Sequence, residues 1–259
     1  MYGDIRPIIF AVVFVVTFGI LFINLKKLFT YLTIARPDPD RFKNPGKKIM
    51  NVLKIAIGQS KIFRDKAAGP LHAGIFWGFL VFLFSASEAV LQGFWSKFTW
   101  AFLGPLYTAI TFSTDLFCAI ILIAVIYALI RRYVIKVPRL QGDKAEVFDA
   151  IIVLGSIFII TGALLLQNSS LTAFHSEEWA FRPLSSAIGG AISGDSAPAL
   201  FQIFWWIHIV AIFGFMNYLP FSKHLHVYTS LPNVYFTSQE PIKKVDPIDF
   251  EDEEAEKFG

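Results

Sequence analysis

The sequence predicts an all-α protein, a membrane bundle of five helices. Three observations carry this. Of 259 residues, 55% are apolar and 28 are Phe, and the mean hydropathy is +0.56. Five runs are long enough to cross a hydrocarbon core of about 30 Å: Pro7–Leu25, Leu71–Phe94, Leu106–Ile130, Val147–Gln167 and Ala199–Phe221. The basic residues, finally, are segregated between alternate connections.

Each element follows in order. The first run is expected to be a retained helix, because Met1–Arg6 carries one base and one acid and no small-residue cleavage site follows. The connection from Lys26 to Lys66 holds 11 of the 23 Lys and Arg, and Arg131–Lys144 holds five more. Four follow the last span, whereas the opposite side has only Arg6, Lys97 and Arg182. The positive-inside rule then predicts an outer N-terminus and a cytoplasmic C-terminus in the cell (inner) membrane.

Within the first connection, Ala35-Arg36-Pro37-Asp38-Pro39-Asp40 is expected to be turn or coil. The apolar residues of Ile49–Ile57 wrap more than half a helix, with lysines at the edges. They fit an interfacial helix or a short helix packed on the bundle. The outer loop Asn168–Pro198 is too apolar for a free linker and is expected to cap the bundle. Residues 237–259 form an acidic tether after the membrane domain 1–236, with eight acids and three lysines from 238 onward. Cys118, the single cysteine, excludes a disulfide frame or a cysteine-held iron–sulfur cluster within this chain. The basic residues flank helices, so their natural partner is anionic lipid and nothing points to nucleic acid.

The chemistry lies in the histidines. His208 and His226 are 18 residues apart, which predicts one face of one helix and a separation of about 27 Å. His72 opens the second span at the depth where His226 closes the fifth. Facing histidines of equal depth are how membrane helices hold haem by both axial positions. His72 and His226 are therefore the expected ligands of a haem b iron. His224 is 16 residues from His208, about 160° round the helix, and is expected to face away.

His208 lies inside the fifth span, where a lone histidine needs a partner. Three expectations compete: a second haem iron held with His175 of the outer loop, a quinol site, or a hydrogen bond to helix backbone. Glu88 and Asp115 are intramembrane acids and candidates for a quinol and proton site, or for local hydrogen bonds. Trp100, Trp179, Trp205 and Trp206 fit an interfacial belt. Arg131, Arg132 and Lys223 stand where haem propionates would lie, but positive-inside charge also explains them.

His72-Ala73-Gly74-Ile75 and Pro220-Phe221-Ser222 with His226 resemble the gamma subunit of respiratory nitrate reductase, a dihaem cytochrome b fed by quinol. The run Phe221–His226, followed by Leu231-Pro232-Asn233-Val234-Tyr235-Phe236, is still more similar to the membrane half of heterodisulfide-reductase-related iron–sulfur oxidoreductases. In those proteins an acidic stretch ending much like Glu256-Lys257-Phe258-Gly259 leads into a domain with two iron–sulfur motifs. The resemblance covers residues 1–236. It implies His72 and His226 as the inner haem pair and His208 as one outer ligand. The other outer ligand would fall at Phe82, so the resemblance leaves one haem or two.

The expected function is electron transfer between menaquinol or ubiquinol and a cytoplasmic iron–sulfur domain or subunit. A haem-free quinone-binding or structural anchor is the first alternative. A small transporter is the second, and the chain lacks the repeat symmetry that would support it.

Overall fold

The computed structural model describes residues 5–34 and 39–237. The acidic tether from 238 onward and most of the Pro-rich turn lie outside the described residues. No strand occurs among those described, and five helices are long and apolar enough to cross a membrane. They are α1 (Arg6–Leu32), α3 (Gly69–Phe94), α4 (Pro105–Leu129), α5 (Lys144–Phe174) and α7 (Ala197–Tyr218). Three short helices complete the bundle: α2 (Pro45–Asn51), α6 (Pro183–Gly189) and α8 (His226–Tyr235).

The helix starts are written locally. Proline stands in the first turn of α1, α2, α3, α4, α6 and α7, where its missing N–H costs nothing. α5 instead starts on Asp143, whose carboxylate accepts the Glu146 N–H at 2.8 Å.

In lipid, burying a methylene gains little, so helix contacts depend on close shape fit. α5 and α7 share the most extensive contact, followed by α3 with α4. Phe10 of α1, Ala89 of α3 and Trp205, Ile209 and Phe213 of α7 form one core. Gly93 lets the Phe10 ring lie against α3; a side chain there would overlap it. Trp205 is thus not a belt residue: it is fully buried, with the Arg6 guanidinium 4.1 Å over its ring. A second core joins Cys118, Leu164 and Leu165, and Phe82 packs against it.

Two helix boundaries differ from expectation. α5 runs on to Phe174 through Gln167, Asn168, Ser169 and Ser170, all buried. The Ser169 and Ser170 hydroxyls donate to the carbonyls of Leu165 and Leu166 at 2.8 and 2.7 Å, so this polar run stays helical.

The fifth span, conversely, does not carry His208 and His226 on one continuous helix. α7 ends at Tyr218, and a tight turn spans Leu219–Phe221. Ser222 is then extended at φ −99°, ψ 160°, a second turn covers Lys223–Leu225, and α8 begins at His226. Pro220 cannot donate to the ladder. Asp149 of α5 holds the break by accepting the Tyr218 and Ser222 hydroxyls, each at 2.6 Å.

The segment after Asn51 continues as a wider π-type turn over Val52–Ile57. It packs on α8, and Ile49, Met50 and Leu53 stay exposed. Lys48 of α2 is buried, with its ammonium 3.4 Å from the Tyr235 carbonyl and over the Tyr235 ring.

Candidate functional site

The structure gathers polar groups at both ends of the bundle. At the first end, His72 sits in the first turn of α3 and His226 opens α8. The break after α7 turns α8 back across the bundle end. There the two imidazoles face each other with centroids 6.2 Å apart and planes at 34°. His72 Nδ1 is buried with no hydrogen-bond partner. His226 Nδ1 points toward the Lys223 carbonyl at 3.5 Å.

His224 is engaged differently. Its Nδ1 lies 3.0 Å from Ser222 Oγ and 3.5 Å from Asp149 Oδ2. Burial pushes its pKa below the usual histidine value, against the pull of the Asp149 carboxylate. A groove of about 510 Å³ opens beside His72, lined also by Lys61, Arg64, Asp65, Arg131 and Leu140. Arg131 and Arg132 are buried in a π-type turn, Ile130–Val134, that closes α4.

His208 lies midway along α7 and is fully buried. Its Nδ1 is 2.9 Å from the Ile160 carbonyl of α5, while Nε2 is buried without a partner. His175 is exposed at the C-terminal cap of the same α5. Ile160 and His175 are 15 residues apart, about 22 Å of helix rise, so the structure does not bring His208 and His175 together.

Asp115 is fully buried and used as an anchor for α6. It accepts the backbone N–H of Leu184 at 2.5 Å and of Ser185 at 3.0 Å, and the Ser185 hydroxyl at 2.5 Å. A carboxylate at the start of a helix also complements its dipole.

Glu88 belongs to a larger cluster at the second end. Its Oε1 accepts the Trp100 N–H at 2.9 Å and the Tyr107 hydroxyl at 3.1 Å. The same hydroxyl lies 3.3 Å from Glu177 Oε2 and 3.1 Å from Arg182 Nη2. Arg182 pairs with Glu177 at 2.7 Å. Burial alone would lower the pKa of Arg182, but Glu177 and Tyr107 outweigh it and hold it above the usual value.

Beside this cluster is a cavity of about 20 Å³, bordered by Ser85, Glu88, Tyr107, Thr114 and Gln167. That is room for about one water and far below a drug-sized pocket. Gln167 Oε1 is buried there without a partner. Tyr107, Glu177, Arg182 and Gln167 were not among the site residues expected from sequence. The signal for Gln167 was present, since a polar residue inside an apolar run requires a use.

Two curated proteins are similar to this chain. The "Probable iron-sulfur-binding oxidoreductase FadF" of Bacillus subtilis (strain 168) is 33% identical over 245 residues, covering 90% of this chain and 34% of that protein. The "EtfAB:quinone oxidoreductase" of Syntrophomonas wolfei subsp. wolfei is 26% identical over 264 residues, covering 97% of this chain and 36% of that protein. The chain thus spans about a third of the length of these relatives. Both are named as oxidoreductases. Neither is named as a cytochrome b or a nitrate reductase subunit. No family model matches, and no solved structure matches significantly.

Proposed function

We propose that this chain is the membrane domain of an electron-transfer oxidoreductase linking quinol to an iron–sulfur centre, and that His72 and His226 hold a b-type haem. The observation that carries this is the 6.2 Å between their ring centroids. Metal–imidazole bonds are about 2.0 Å. Adding about 1.1 Å from nitrogen to centroid on each side puts two rings on one metal about 6 Å apart. The buried, unpartnered His72 Nδ1 and the 510 Å³ groove support the fit.

Haem bound there supplies one-electron transfer. The chain's own residues set its surroundings. Lys61, Arg64 and Arg131 outnumber Asp65 along the groove and leave its wall net positive, suited to carboxylate groups. Asp149 and Ser222 fix the break that delivers His226, and they occupy His224. By the positive-inside rule this end faces the cytoplasm, where an iron–sulfur domain or subunit would receive or supply electrons. The names of the two relatives support both the iron–sulfur partner and the quinone substrate.

The backbone bond of His208 favours a structural tie between α5 and α7, so the proposal requires one haem. Adding menadiol to the air-oxidised protein tests the quinol link. Reduction of a b-type absorption band is expected. A bound haem that menadiol leaves oxidised would contradict the link.

A further inference from the structure

We infer that Tyr107 relays protons between the half-buried Glu88 and the outer-loop Glu177, with Arg182 holding the outlet. The inference deepens the quinol-linked proposal, which supplies the protons. It stands on a separate part of the molecule.

A phenol has one proton to donate, and two carboxylate oxygens lie within reach of Tyr107, at 3.1 Å on Glu88 and 3.3 Å on Glu177. Tyr107 is 1% exposed, so bulk water does not compete for its hydroxyl. Arg182 contacts both Glu177 and the phenol oxygen and keeps the three groups in register, while the Thr99 hydroxyl, 3.3 Å from the same oxygen, turns away to free the lone pair that takes the Glu88 proton.

The step balances without an oxidant. The Glu88 O–H bond breaks and its proton bonds to the phenol oxygen. The phenol's own O–H bond breaks as its proton bonds to Glu177. Tyr107 is unchanged at the end, and rotation of its hydroxyl resets it. Glu177 is 11% exposed and adjoins the exposed Glu178, so the proton leaves to the aqueous side.

The inner approach is polar too. The Ser85 and Thr114 hydroxyls lie 3.2 Å apart on the cavity wall. Gln167 Oε1, on a side chain 7% exposed, has no protein partner and faces this one-water space. The cavity is therefore sized for a water that hands a proton to Glu88, and is too small for a quinone ring.

The test is time-resolved infrared spectroscopy of the full chain in nanodiscs. The protonated Glu88 carbonyl band is identified by its loss in Glu88→Gln, and its proton–deuteron exchange is timed after mixing with heavy water. Neither haem nor quinol enters the measurement, so its failure is distinct from failure of the redox proposal. Exchange should slow at least about tenfold in Tyr107→Phe. It should slow equally in Glu177→Gln, which keeps an oxygen for Arg182 and decides the matter if the tyrosine variant does not fold. Glu178→Gln should exchange at the native rate. Unchanged exchange in the folded Tyr107 or Glu177 variants, equal slowing in Glu178→Gln, or no Glu88 band at any pH from acid to neutral would overturn the relay.

Discussion

His72 and His226 stand with ring centroids 6.2 Å apart because the fifth span breaks before His226 and does not continue straight through it. His224, two residues earlier, turns to Asp149 and Ser222 instead. The expected outcome is that His226→Ala loses haem while His224→Ala retains most of it. Haem content of the purified variants decides this, and equal retention in both would contradict the assignment.

Asp149 is the second support of that break. It accepts hydroxyls from Tyr218 and Ser222 at 2.6 Å each. Hydrogen bonds to a charged group contribute about 1.5–3 kcal/mol each. Asp149→Ala should destabilise the fold by about 3 kcal/mol and lower haem occupancy, although Asp149 would not touch haem. A thermal melt and a haem assay together check this. Unchanged values in both would remove the anchor role.

The five spans and the pairing of His72 with His226 in depth were legible from sequence, because a bilayer forces about 20 apolar residues per crossing and depth follows from span order. The break itself was half legible. Pro220 marks a bend, but the group that holds Ser222 out of the helix is Asp149, 73 residues earlier. The end of α5 was misplaced at Gln167, since composition cannot show that Ser169 and Ser170 bond back to their own helix. Glu88 was visible as an intramembrane acid. Tyr107, Glu177 and Arg182, which complete its cluster, come from a helix start and a loop, so only the fold assembles them.

At the other end, Asp115 secures α6 through Leu184 and Ser185. Asp115→Ala leaves buried N–H groups unpaired and should cost about 3 kcal/mol. Limited proteolysis should then cut between residues 175 and 197 sooner than in the native protein. A native digestion pattern would contradict the anchor role.

Gly93 admits the Phe10 ring, so Gly93→Val should destabilise the α1–α3 crossing by about 1–3 kcal/mol. Phe10→Ala in the same chain should recover part of that loss. Additive losses in the double variant would show that the two residues do not share the contact.

Orientation is open to a direct assay, because Cys118 is fully buried and should not label. Ser176→Cys should react with a membrane-impermeant thiol reagent from the outer side, and Lys61→Cys only after the membrane is opened. The reverse pattern would invert the topology and move the His72–His226 pair to the outside.

The most direct test of the central claim is a reduced-minus-oxidised spectrum of the purified chain with pyridine-haemochrome quantification. One b-type haem per chain, lost in His72→Ala and in His226→Ala, is the expected result. A well-folded chain that binds no haem, or that keeps it in both variants, would contradict the account.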